Sequence, residues 1–214
     1  MTTADRRTAA VPTPATDAVP AADTGPAPAA GPTPSQTVGP FFGHALPFAG
    51  GGDIAPRAAA DTVTLHGRVL DGDGAPIPDA LLEFWQAGPD GRPPAAPGSM
   101  RRDHSTGRDA GRDGVTFTGW GRVPTDADGH YAVRTLRPPA GAPYLGVLLL
   151  ARGLLHHLHT RAYLPEAPHD ALLASLPPAR RATLVARHED GGVYRFDIRI
   201  QGDDAQETVF LEFR

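Results

Sequence analysis

The sequence predicts an all-β protein, an antiparallel β-sandwich with long loops and one short helix. The first observation behind this is a series of short runs whose apolar residues recur at every second position, the period of a half-buried strand. The second is the amount of turn-forming residue: Gly 25 and Pro 24 among 214 residues, about twice the combined share of roughly 12% in average proteins. The third is the shortage of helical periodicity, which appears over little more than residues 169–176 before Pro177 and Pro178 stop it.

Taken in order, residues 1–33 are Ala, Pro and Thr with almost no large apolar side chains. They cannot bury enough surface to offset their ordering entropy, and a disordered tail is expected. Arg6 and Arg7 are followed by Pro12, Pro14 and Pro20 rather than by a continuous apolar segment, so no signal peptide is read here and a cytoplasmic location is the default. Residues 34–61 form an arm, and the sandwich is expected over 62–214. In TVTLHGRVL, Val63, Leu65, Gly67 and Val69 share one face of a first strand. The turn DGDGAPIPDA leads into a second strand, LLEFWQ, over 81–86. GVTFTGWGRV, 114–123, reads as a third, its glycines marking a bulge or a close approach. HYAVRTLR puts Tyr131, Val133 and Thr135 on one face. The run 144–153 is so apolar that a central strand covered on both sides is expected. Strands over HLHTRAYL, 193–200 and 207–213 complete the set. The connection 88–114 is too long to be idle.

Composition excludes several functions. The net charge is −4, with no basic field for nucleic acid, and no stretch approaches the roughly 20 apolar residues of a membrane helix. With Cys 0 there is neither a disulfide nor a thiolate nucleophile. All 20 cations are Arg, planar forks suited to carboxylates. No GxSxG motif accompanies the four serines, and the glycines of AGGGD lack the strand and helix of a phosphate loop.

Among nine histidines, His156, His157 and His159 form the obvious cluster. On a strand, His157 and His159 point the same way and His156 points away, so they make either two-thirds of a metal site or a polar strand face. Arg152 follows the apolar run 147–151, where its guanidinium can hold a carboxylate or close a strand-end ion pair. Trp85 and Trp120 are expected as core anchors.

Four ordered segments carry a resemblance. TPSQTVGPFF (33–42), LLEFWQA (81–87), LLARG with LHTRAY (149–163), and the closing region 180–210 containing VYRFDIRIQG together resemble the intradiol ring-cleavage dioxygenases, specifically the α type of the protocatechuate 3,4-dioxygenase subunits. The resemblance covers residues 33–214 and implies a sandwich fold shared by the two subunit types, α and β. It places the ferric site in the β type, on two tyrosines and two histidines. At the matching positions this chain has Pro93 after Gly91 and Arg92, the run Pro138, Pro139, Ala140, Gly141, and Tyr144 and Gly146 in place of a His-x-His pair. One oxygen donor is left, so no metal site is expected here.

The resemblance further implies a cleft between subunits, with Thr37, Gly39, Pro40, Phe41 and Arg152 of this chain facing the substrate. Catalytic residues are expected to lie on the partner. Fe(III) held by the β subunit and O2 would cleave protocatechuate to 3-carboxy-cis,cis-muconate within a higher-order α/β assembly. Two further possibilities stand beside that reading: a stand-alone sandwich module binding a small aromatic acid or a protein, and an independent metalloenzyme using His157 and His159.

Overall fold

The computed structural model describes residues 42–94, 100–107 and 109–213. The expected tail, and Thr37, Gly39, Pro40 and Phe41, lie outside them. The chain opens with α1 (Phe42–Ala45) and continues through β1 (Thr62–Leu70), β2 (Leu81–Trp85), β3 (Met100–Arg102), β4 (Asp109–Arg112), β5 (Trp120–Pro124), β6 (His130–Leu136), β7 (Tyr144–Leu150) and β8 (Leu158–Tyr163). It ends with α2 (Ala171–Ser175), α3 (Pro178–Ala182), β9 (Arg187–His188), a 3-10 turn, β10 (Val193–Arg195) and β11 (Ile198–Arg199).

Two sheets build the sandwich. Sheet II runs β5-β2-β7-β8 and is antiparallel throughout. Sheet I is centred on β1, with β6 antiparallel on one flank and β10 and β11 parallel on the other, β9 lying outside β10. The parallel pairing departs from the expected all-antiparallel order. It arises because the chain returns to β1 after a long excursion through β7, β8 and two helices rather than by a hairpin.

The core lies between the sheets. Val63, Leu65 and Val69 of β1 and Tyr131 and Val133 of β6 meet Leu82, Phe84, Leu145, Val147 and Leu149 of sheet II, all buried. β10 and β11 are halves of one strand interrupted at Phe196 and Asp197, where Gly67 faces the break: a Cβ on Gly67 would lie 1.9 Å from the Phe196 carbonyl oxygen. The same oxygen accepts the Tyr131 hydroxyl at 2.5 Å, and Asp197 accepts the Arg68 amide at 2.9 Å. The Phe196 amide also donates to the His66 carbonyl at 2.7 Å, so both backbone groups of Phe196 are satisfied at the interruption.

Several sequence expectations shift. Residues 115–119 are bends and irregular backbone rather than strand, with Asp113 accepting the amides of Val115 and Thr116. Only Leu211 of 207–213 joins the sheet, through one bridge to His159; Thr208 exchanges two hydrogen bonds with Arg199, and Val209 accepts the Thr160 hydroxyl and donates its amide to Thr183. β7 is central, but Tyr144, Gly146, Leu148 and Leu150 on its outer face are only half-buried. Among the described residues three α-helices stand where one is expected. Pro177 does follow α2, yet Pro178 then opens α3, since a first-turn proline gives up an amide that has no helical partner anyway. The long connection carries the β3–β4 hairpin.

Candidate functional site

Sheet II presents chemistry at both ends of the β2–β7 pair. The register joins Leu81 to Leu150 at one end and Trp85 to Gly146 at the other, four residues or roughly 13 Å along the strands.

At the first end, Asp79 precedes Leu81 by two residues and Arg152 follows Leu150 by two, so antiparallel pairing sets them face to face. An Arg152 Nη2 hydrogen bonds to Asp79 Oδ2. The arginine stays 62% exposed and the aspartate only 19%. The hydrogen bond and the charge of Asp79 raise the Arg152 pKa still further, so the cation is permanent. Asp79 Oδ1 is buried without a hydrogen-bond partner, and the residue holds φ 60. Gly43 sits directly against it: a Cβ there would be 3.0 Å from the Asp79 carbonyl oxygen. Gly43 follows the buried Phe42, the last residue of TPSQTVGPFF, so that segment ends beside the Asp79–Arg152 pair. Asp79 was not among the sequence-derived candidates. The available signal was an Asx residue in a Pro-rich turn, where left-handed backbone is tolerated.

At the second end a cleft of about 380 Å³ is lined by Trp85, Pro93, Pro94, Thr118, Tyr144 and Gly146, among others. Pro93, Tyr144 and Gly146 are three of the positions singled out above, and the run 138–141 leads into Ala142 in the same wall. The fold thus gathers the positions at which the resemblance implies iron ligands, but with one phenol among them. The Tyr144 ring lies under the Arg161 guanidinium, 3.8 Å from carbon to centroid, and Arg161 in turn bonds Asp170 at 3.1 Å. Burial raises the Tyr163 phenol beside them. A single phenol held against a cation does not fit the four-donor requirement of a ferric ion.

Trp85 is 54% exposed and forms an apolar side of this cleft; it is not a core anchor. Alternation along LLEFW sends Leu82 and Phe84 inward and Glu83 and Trp85 outward. Trp120 pairs with Trp85 across the strands, lies 5.9 Å from it and stacks on Phe48 at 5.8 Å. Arg122 covers its ring at 5.0 Å while bonding Glu83 at 2.8 Å.

The histidine cluster is a ring stack. His157 and His159 meet edge to face at 4.7 Å, and His159 meets Phe213 at 4.9 Å. Burial and the neighbouring His157 lower the His159 pKa. No group of three metal-binding side chains occurs among the described residues. The network that sequence reasoning missed is on sheet I, where His66 bonds His130 at 3.1 Å and Glu189 at 2.9 Å. It draws on three separate strands and turns, a juxtaposition without a local signature. No helix among the described residues is long and apolar enough to cross a membrane.

The family model described as Dioxygenase matches residues 55–177. The protocatechuate 3,4-dioxygenase alpha chain of Burkholderia cepacia is 40% identical over 202 residues, covering 83% of this chain and 95% of that one. The beta chain from the same organism is 29% identical over 165 residues, 68% of this chain and 66% of that one. Among solved structures, the dioxygenase domain of a carbohydrate-binding fusion from Streptomyces sp. SirexAA-E shares the fold with a TM-score of 0.50 and 24% identity, over 80% of this chain and 99% of that one. The family match and the greater identity to the alpha than to the beta chain agree, and the chain belongs to the intradiol ring-cleavage dioxygenases, on the side of the protocatechuate 3,4-dioxygenase alpha chains.

Proposed function

We propose that this chain is the substrate-orienting subunit of a two-component protocatechuate 3,4-dioxygenase, and that it completes an active site whose iron a β subunit holds. The family is iron-dependent, and the donors of this chain do not fit the ion, so the oxygen chemistry belongs to the partner. What this chain contributes is binding, orientation and the exclusion of water. Arg152 takes the ring carboxylate of protocatechuate, away from the reacting hydroxyls, and raises its local concentration. Thr37, Gly39, Pro40 and Phe41 are assigned to the same substrate through the family resemblance, Pro40 and Phe41 as stiff apolar contacts.

The observation that carries this reading is Arg152 itself, a permanent and largely exposed cation anchored on Asp79, against which Gly43 packs. The test is expression with and without a β partner, followed by iron content, the visible tyrosinate-to-iron band and oxygen uptake with protocatechuate. Colour and turnover only on co-expression are expected. Turnover by this chain alone overturns the assignment. A stable, colourless protein that forms no complex with a β chain favours a stand-alone binding module, whose ligand would enter the Trp85 cleft.

A further inference from the structure

Asp79 is held in a way that stability does not explain. Among the described residues it is the one non-glycine with positive φ, at 60°, a conformation that costs an L-residue with a Cβ. Its buried Oδ1 has no hydrogen-bond partner, a further cost. Against these stands one ion pair with an arginine that is 62% exposed, and exposed pairs stabilise little. The platform under it is rigid all the same. Thr125, buried, accepts the Ala80 amide and donates to the Ile77 carbonyl, both at 2.9 Å, fixing the turn on either side of Asp79. Gly43 closes over it so tightly that no Cβ fits without displacing its carbonyl.

We propose that Asp79 is a positioning residue for Arg152. It takes one Nη of the guanidinium and leaves the other donors of the planar fork free for a second carboxylate, that of the substrate. Gly43 of α1 packs on the same residue, so Arg152 and α1 are both referred to one turn. Without Asp79 the long arginine side chain sweeps its rotamers, and each binding event has to order it. The proposal rests on the reading of Arg152 as the carboxylate-binding residue.

The test is steady-state kinetics of the co-expressed α/β enzyme on protocatechuate and on catechol, which lacks the carboxylate, together with the melting temperature of each variant. Asp79→Asn keeps shape and tolerance of positive φ, and Asp79→Gly relieves the backbone outright. Both are expected to raise KM for protocatechuate relative to KM for catechol about three- to tenfold, with kcat changed less. In an Arg152→Ala background, Asp79→Asn is expected to add nothing further. Melting temperatures are expected to stay level, with Asp79→Gly no less stable than the parent. If Arg152→Ala shifts the ratio and neither Asp79 variant does, Asp79 has no positioning role. Equal losses on both substrates with a lowered melting temperature make it a structural turn residue, which also overturns the proposal. If Arg152→Ala leaves the ratio unchanged, the carboxylate role of Arg152 fails and this proposal fails with it.

Discussion

Arg152 keeps most of its guanidinium in water while one edge is tied down, so little desolvation is charged against a carboxylate that arrives there. A charge-assisted contact of that kind stabilises a complex by about 1.5–3 kcal/mol, roughly 10- to 100-fold in affinity. Arg152→Ala is therefore expected to raise KM for protocatechuate about that much relative to catechol, measured by oxygen uptake of the α/β enzyme. Arg152→Lys should recover only part, since an ammonium cannot share one fork between Asp79 and the substrate. Equal losses on the two substrates would remove the carboxylate from the account. At this scale the sequence was half legible. Arg152 stands out because it terminates an apolar run, whereas Asp79 acquires its meaning only from a backbone angle and a strand register. Trp85 shows the opposite case: large and aromatic, it looked like core, but strict alternation with Leu82 and Phe84 turns it outward.

Strands were the readable elements because period two is a local property. Val63, Leu65, Gly67 and Val69 are buried as the pattern implies. Pairing partners are not local, which is why the parallel arrangement of β1 with β10 and β11 and the single bridge at Leu211 could not be read from the pattern. Proline was also ambiguous, stopping one helix and starting the next. Gly67 ties pattern to packing: its Cα abuts the Phe196 carbonyl, which Tyr131 also grips. Gly67→Ala must push β1 away from the β10–β11 break and is expected to cost about 3 kcal/mol or more. A urea midpoint within error of the parent would show that the break can yield. The β3–β4 hairpin offers a pH handle. Asp103 accepts the Ser105 amide at 2.8 Å and the Ser105 and Thr106 hydroxyls at 2.6 and 2.9 Å, bonds that lower its pKa from 3.8 to about 2. A depressed carboxylate stabilises its turn above the unfolded pKa and releases it as pH falls through the folded one. Local protection of the Ser105 amide, in exchange or NMR measurements, should be intact at pH 5 and lost as pH falls from about 4 to about 2. Flat protection over that range would mean the turn does not depend on ionised Asp103.

For the molecule as a whole, the sandwich and the family were legible because four motifs recur in order along most of the chain, and the matched region 55–177 together with 40% identity to an alpha chain bears them out. The division of labour between the two ends of sheet II was legible only as a list of missing donors. The fold adds that those positions share one cleft, while Arg152 and Asp79 occupy the far end of the same strands.

The parallel pairing in sheet I also sets an order of events in time. Arg68 meets Asp197 across 129 residues, at the break between β10 and β11. Closing so long a loop costs entropy before any contact repays it, which places folding among the slower, non-local topologies. Until residues 193–199 have been made, the edge of β1 that pairs with β10 and β11 has no neighbour and is open to pairing with another chain. The nascent sandwich thus passes through a stage at which a strand of another chain could take the place of β10 and β11. Docking of β10 and β11 onto β1 is what closes that edge.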